Sequence, residues 1–245
     1  MIRTLWFYLV LAVSGIVHSV GVLGAALFGV QRRPGGGDVY DWGTNDWSRQ
    51  VLRAAGTPVR VAGMERIPSG PVVYASNHSS MFDIWALAAT LPGSVRMLAK
   101  QELARIPLIG RAMVTAGHVV IDRPHPRRAL QAYERAAAVI RSGVSALVFP
   151  EGTRSRTGQL LPFKNAPFGL AIAAGVPVVP LYVRNTFEIM PKGRFLLRPR
   201  PILIVVGEPI STEGMTVERR QELRDRVHAA VLALKARVDA EGVDR

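Results

Sequence analysis

Hydrophobic residues fall along this chain in three kinds of stretch. The first, residues 4–30 (TLWFYLVLAVSGIVHSVGVLGAALFGV), carries no formal charge. As an α-helix it extends roughly 40 Å, more than the roughly 30 Å of a bilayer's hydrocarbon core, so it can cross, tilt, or enter and turn back. From residue 58 the pattern changes to short, nearly continuous apolar runs at 59–64, 72–75, 95–98, 118–121, 146–149, 178–183 and 202–206. Such runs, rich in β-branched residues, read as strands buried on both faces. Between them lie stretches with helical spacing, at 82–90, 126–141 and 217–238. In the second of these Leu130, Tyr133, Ala137 and Ile140 share a face, and Gly143 follows as a left-handed cap would. In the third, Leu223, Val227, Val231, Leu234 and Val238 form a stripe that reads as a packing face. Strands alternating with helices predict an α/β domain, a largely parallel sheet flanked by helices, with an N-terminal membrane-associated helical element.

A chain of 245 residues suits one full domain plus an appendage. The expected division is a membrane-anchoring segment at 1–57 and a catalytic domain at 58–245. Pro34-Gly35-Gly36-Gly37 reads as a joint, after which 41–55 forms a second helix with Trp42 and Trp47 at headgroup level. Trp6, Phe7 and Tyr8 suit an interfacial aromatic belt. Arg3 precedes the apolar run and Arg32 and Arg33 follow it, and the basic excess beyond them places the main domain on the cytoplasmic side. A secretory leader is the competing reading, against which the run is longer than usual. As an anchor, the segment is expected to release a soluble protein when residues 1–33 are removed.

Charge narrows the partners. Thirty-one basic against eighteen acidic residues leave +13, which nucleic acid, anionic headgroups or a phosphorylated cofactor would each accept. The apolar amino-terminal run favours lipid over nucleic acid. There is no cysteine, so disulfides, zinc-thiolate sites and a thiol nucleophile are excluded together. His18, His78, His118, His125 and His228 show no metal-ligand spacing, and four of them read as structural.

His78 is the fifth. It follows the strand at 72–75, and Asp83 stands five residues on, about 140° away on a continuous helix, so His78 must lie in a loop and Asp83 in the first helical turn. A histidine oriented by an acid is suited to draw a proton from a hydroxyl, because its ordinary pKa lies near neutrality. The bland reading is a capping box at Ser80-Met81-Phe82-Asp83, and one carboxylate can serve both roles. A nucleophilic-serine route through Ser79 or Ser80 lacks the G-x-S-x-G elbow. The second motif, Phe149-Pro150-Glu151-Gly152-Thr153-Arg154-Ser155-Arg156, follows another strand. Gly152 would let backbone approach a ligand, Arg154 can grip phosphate with a bidentate fork, and Glu151 would orient Arg154 or accept from an acceptor hydroxyl. The same residues also make a solvated turn. Both motifs sit at carboxyl ends of strands, where open α/β sheets bind ligands, and neighbouring strands would bring them together. Arg156 is a weaker candidate, and Arg127 and Arg128 read as surface residues.

The pair N-H-x4-D and F-P-E-G-T-R-S resembles the glycerophospholipid acyltransferases, and within them the 1-acyl-glycerol-3-phosphate acyltransferases. The likeness runs over about 58–184. It includes Lys100-Gln101-Glu102-Leu103, Pro107-Leu108-Ile109-Gly110 and Gly117-His118-Val119-Val120-Ile121-Asp122-Arg123, similar to a second block, and Val176-Pro177-Val178-Val179-Pro180-Leu181, similar to a fourth. The resemblance implies transfer of an acyl group from acyl-CoA or acyl carrier protein to lysophosphatidic acid, giving phosphatidic acid, with the thioester a substrate and no cofactor or metal. It implies His78 as base oriented by Asp83, phosphate contacts from Lys100, Arg123 and Arg154, and Glu151, Gly152 and Thr153 in the substrate site. It also implies a two-helix amino-terminal element in or on the cell membrane. Glycerol 3-phosphate or another lysophospholipid remains an alternative acceptor, and a non-catalytic lipid-binding protein an alternative function. One departure is local: where the family often has glycine after Phe163-Lys164-Asn165, this chain has Ala166 and Pro167.

Overall fold

The computed structural model describes residues 1–33, 37–122 and 125–241; Arg123 and the side chain of Leu130 lie outside the described residues. In chain order the elements are α1 (Ile2–Leu27), α2 (Val39–Ala55), β1 (Val59–Ala62), β2 (Val73–Ser76), α3 (Phe82–Thr90), β3 (Val95–Lys100), α4 (Gln101–Ala104), α5 (Ile109–Thr115), β4 (Val119–Ile121), α6 (Pro126–Arg141), β5 (Ser145–Val148), α7 (Ala166–Ala174), β6 (Val178–Arg184), α8 (Thr186–Ile189), β7 (Ile202–Val206) and α9 (Arg220–Ala240). All seven apolar runs form strands, with ends displaced by a residue or two; the first stops at Ala62 because Gly63 turns left-handed into a short 3-10 turn. The strands form one sheet in the order β1-β7-β6-β2-β5-β3-β4. Its pairs are parallel except β6 with β7, so β1 and β7 run against the other five.

Alternation along each strand divides the core into two layers. Val73, Ala75, Ala146 and Val148 face α6, α7 and α9, where Leu223, Val227, Val231, Leu234 and Val238 are buried as a packing stripe. Tyr74, Leu147, Val179 and Leu181 face α2 and α3 on the other side. Gly143 adopts φ +100° after α6, as the cap required. Pro167 sits in the first turn of α7, where its missing N–H is harmless, so the departure at Ala166 and Pro167 is absorbed by a helix start.

The amino-terminal helices share this core. Phe7 is wholly buried, stacked on Phe82 at 5.6 Å and edge-on to Trp85 at 5.9 Å. Trp47 likewise turns inward, edge-on to Trp85 at 6.4 Å. The expectation of Phe7 and Trp47 as interfacial residues is therefore corrected: both pack on α3. Along α1 the buried positions are Phe7, Ser14, Gly15, His18, Ser19 and Val22, whereas Leu5, Trp6, Leu9, Val13, Ile16, Val17 and Val20 are exposed. The outward face is thus more apolar than the inward one, the reverse of a soluble protein's helix. Gly43 of α2 makes the approach of α1 possible, since a Cβ there would lie 2.4 Å from Val22.

A buried polar clamp fastens α2 to the sheet. Asp38 caps α2 by accepting from the N–H groups of Tyr40 and Asp41. Asp41 pairs with Arg96 and accepts from Ser94 Oγ at 2.9 Å. His118 accepts the Met97 N–H at Nδ1, 2.9 Å away, and meets Thr44 Oγ1 at 3.1 Å through Nε2. Burial, followed by the Arg96 guanidinium, pushes the His118 pKa down to about 3, so the ring is neutral.

Candidate active site

Strands β2 and β5 are neighbours, with Tyr74 opposite Leu147, so the loops leaving them lie side by side. The β2 loop carries His78 and runs into α3, whose first turn holds Asp83. His78 Nδ1 lies 2.8 Å from Asp83 Oδ2. The same oxygen accepts the N–H groups of Ser79 at 2.7 Å and Ser80 at 2.8 Å, so Asp83 secures the helix start and the imidazole together. Because a carboxylate only accepts, Nδ1 carries the proton, leaving the lone pair on Nε2, which has no partner among the described residues. The ring stacks on Phe149 at 4.0 Å and 19°, so its plane is fixed as well.

Two further residues complete the loop. Thr186, wholly buried, donates to Asp83 Oδ1 and meets Ser79 Oγ at 3.0 Å. Asn77 brackets Val183 of β6, donating to its carbonyl at 2.9 Å and accepting its N–H at 2.7 Å. Sequence reasoning assigned no role to either residue. Thr186 lies more than a hundred positions from Asp83, and only the pairing of β2 with β6 brings it near.

The second motif is tied to the first through backbone. Ser155 N–H donates to the His78 carbonyl at 2.8 Å, and Glu151 Oε1 accepts the His78 N–H at 2.9 Å. Glu151 is buried, and its Oε2 has no hydrogen-bond partner among the described residues. Burial is the main force pushing its pKa up to about 8, helped by the Asp83 charge and opposed by the N–H groups of His78 and Leu161. Glu151 therefore supports the His78 backbone, is mostly protonated near neutrality, and forms no ion pair with Arg154 among the described residues, so its Oε1 holds an amide and does not orient that guanidinium. Gly152 takes φ +74°, and a Cβ there would come within 2.9 Å of Lys164 Cε, so the position requires glycine for its turn and for the passing lysine stem.

Of the expected cations, Lys100 and Arg154 both act electrostatically on Lys192. Lys100 ends β3 on the same edge of the sheet as His78, and Arg154 is half-buried in the second loop. Lys192, which sequence reasoning passed over, donates from Nζ to Thr153 Oγ1 at 3.1 Å. Burial and then the charges of Arg156, Arg154 and Lys100 hold its pKa below the usual lysine value. Arg123 lies outside the described residues. His18, His118, His125 and His228 hold structural contacts elsewhere. Among the described residues no group of three or more His, Cys, Asp or Glu could hold a metal ion.

Comparison with known proteins bears on the family and the fold. The family model described as Acyltransferase matches residues 58–184. A 1-acyl-sn-glycerol-3-phosphate acyltransferase of Cocos nucifera is 33% identical over 74% of this chain and 59% of its own length. A protein of the same description from Pseudomonas aeruginosa is 30% identical over 97% of this chain and 91% of its own. The crystal structure of the 1-acyl-sn-glycerophosphate (LPA) acyltransferase PlsC from Thermotoga maritima superposes with a TM-score of 0.79 at 27% identity, covering 96% of this chain and 94% of that one. This chain spans less than two thirds of the length of some of these curated relatives, the Cocos nucifera protein among them.

Proposed function

This chain belongs to the acyltransferase family, and from that premise we propose that it transfers a fatty acyl group from acyl-CoA or acyl carrier protein to the free hydroxyl of lysophosphatidic acid, forming phosphatidic acid. The observation that carries the reading is the His78–Asp83 pair at 2.8 Å, with Nε2 unpartnered on the sheet edge that also bears Lys100 and Arg154. Nε2 takes the hydroxyl proton as the acceptor oxygen attacks the thioester carbonyl. Asp83 stabilises the resulting imidazolium through Nδ1. The tetrahedral intermediate collapses with cleavage of the C–S bond, and the imidazolium returns its proton to the departing thiolate. Lys100, Arg123 and Arg154 hold the acceptor phosphate, with Thr153 and Gly152 shaping the turn beside them. The reaction uses no cofactor, and the thioester is consumed as a substrate.

The amino-terminal element brings this chemistry to the lipid. The exposed apolar face of α1 lies in the cytoplasmic leaflet, and the face bearing Phe7 remains on the domain. Support comes from the burial pattern of α1 and from the flanking Arg3, Arg32 and Arg33. Residues 1–57 then serve as the membrane element and 58–245 as the catalytic one.

Thiol release, measured with lysophosphatidic acid, glycerol 3-phosphate, lysophosphatidylcholine and 1-acylglycerol in parallel, tests the acceptor; lysophosphatidic acid is expected to have the highest kcat/KM. A preference for glycerol 3-phosphate would replace this reading. His78→Ala should lower transfer by about 10² to 10⁴ with the fold intact, and Asp83→Asn should remove most activity through a misheld ring. Near-normal turnover by the folded alanine variant would mean that no general base acts at this position.

A further inference from the structure

The chain after β6 is fastened to the catalytic loop at two points. Thr186 donates to Asp83 Oδ1, and Ser80 Oγ donates to the Met190 carbonyl at 2.8 Å. Two residues beyond that second tether, Lys192 Nζ donates to Thr153 Oγ1 at 3.1 Å, inside the turn that carries Arg154. The charged neighbours that act on Lys192 are all cations, namely Arg156, Arg154 and Lys100. None of these four has an ion-pair partner among the described residues. Like charges gathered without a counter-charge raise the energy of the fold, and an arriving anion relieves them together.

We propose that Lys192 is a further ligand for the acceptor's phosphate monoester, with its ammonium aimed by Thr153 and acting alongside Arg154 and Lys100. The inference rests on the acceptor reading above and adds a residue to it. Two phosphate sources could fit such a cluster, the acceptor and the CoA of the donor. Position favours the acceptor. In lysophosphatidic acid the phosphate-bearing carbon adjoins the one carrying the attacked hydroxyl, so its phosphate must lie close to His78. The phosphates of CoA lie at the far end of the pantetheine arm. Lys192 stands two residues from a carbonyl bonded to the catalytic loop, which matches the shorter reach.

The test uses the full-length protein in mixed micelles, comparing Lys192→Met and Lys192→Arg with Arg60→Met, an exposed cation on the edge strand β1, as the control. Lys192→Met should raise KM for lysophosphatidic acid about tenfold, as expected for one charge-assisted contact, with kcat within about twofold. Lys192→Arg should recover part of the loss, and Arg60→Met should match the wild type. With 1-acylglycerol, which lacks the phosphate, the penalty of Lys192→Met should disappear. An unchanged KM, or the same penalty on 1-acylglycerol, would leave Lys192 a mere prop for Thr153 and overturn the proposal. A penalty on acyl-CoA that vanishes with acyl-dephospho-CoA would assign the lysine to the donor and overturn it too. Failure of the wild type to favour lysophosphatidic acid over 1-acylglycerol would instead sink the acceptor reading, and it would show before any variant is compared.

Discussion

Glu151 holds His78 by the backbone: its Oε1 accepts the His78 N–H at 2.9 Å, and its other oxygen is buried without a partner among the described residues. An acid in the middle of a cationic motif thus acts on the His78 loop from behind, and its raised pKa of about 8 keeps it mostly protonated at neutral pH. The two motifs are one mechanical unit, joined again where Ser155 N–H meets the His78 carbonyl.

A neutral acceptor can be replaced by an amide. Glu151→Gln should keep kcat within about threefold, whereas Glu151→Ala, which leaves the His78 N–H buried and unpaired, should cost about 1–3 kcal/mol of stability. The pH dependence of unfolding checks the protonation state. With the folded pKa raised from 4.5 to about 8, the folded chain holds its proton longer than the unfolded one. The stability contribution is therefore whole below about 4.5 and is lost as pH rises towards about 8, with an upper bound on the order of 5 kcal/mol. Denaturant titrations should show a flatter profile across that window in Glu151→Gln. Equal slopes in the two proteins would mean that Glu151 is ionised in the fold.

The clamp between α2 and β3 has the opposite sign. His118 is held neutral with a pKa of about 3 against an ordinary 6.5, so the unfolded chain takes up the extra proton first as pH falls. Stability from this ring is complete above about 6.5 and drains away below it, by about 3 kcal/mol between pH 6.5 and 4. His118→Gln should be less stable at pH 7 yet lose less on acidification, measured by denaturant midpoints at both pH values. Removing one partner of the buried pair, as in Arg96→Met, should cost about 3–5 kcal/mol.

On α1 the two faces should separate in experiment. Trp6→Asp with Leu9→Asp should weaken binding to anionic vesicles while leaving the melting temperature in detergent little changed, since both side chains point away from the protein. Phe7→Ala should instead destabilise the fold by about 3–5 kcal/mol. Deleting residues 1–33 should yield aggregated or unfolded protein, because it uncovers Phe82 and Trp85. A monomeric, folded, active deletion product would restore the picture of a detachable anchor.

What could be read beforehand follows the range of each interaction. Strands β2, β5 and β6 are buried on both faces and show as near-continuous apolar runs, whereas the edge strand β1, exposed at Arg60 and Ala62, is marked by Val59 and Val61 alone. The His78–Asp83 pair is local, and the geometry of a loop entering a helix sufficed for it. Lys192 and Thr186 could not be found that way, because their partners lie 39 and 103 positions away and depend on which strands adjoin. Phe7 was misplaced for another reason. An uninterrupted apolar helix offers no polarity contrast, so its sequence does not say which side meets protein. The residue type of Glu151 likewise did not reveal whether its oxygens point at a cation or at an amide.

The stacking of Phe7 on Phe82 sets an order of events during synthesis. Phe7 is made about 75 residues before its partner, a delay on the order of 4 to 15 s at about 5–20 residues per second. Throughout that interval α2 is already made and can cover the His18 and Val22 side of α1, but the Phe7 face lacks α3, and the bilayer is the apolar phase within its reach. On the membrane reading proposed above, the Phe7 face is expected to meet acyl chains first and to lose them as α3 closes over it. Ribosome-bound chains arrested before residue 82 should accordingly hold membranes more tightly than the finished protein does. On that expectation lipid is the nascent chain's temporary partner for the surface that later meets Phe82 and Trp85.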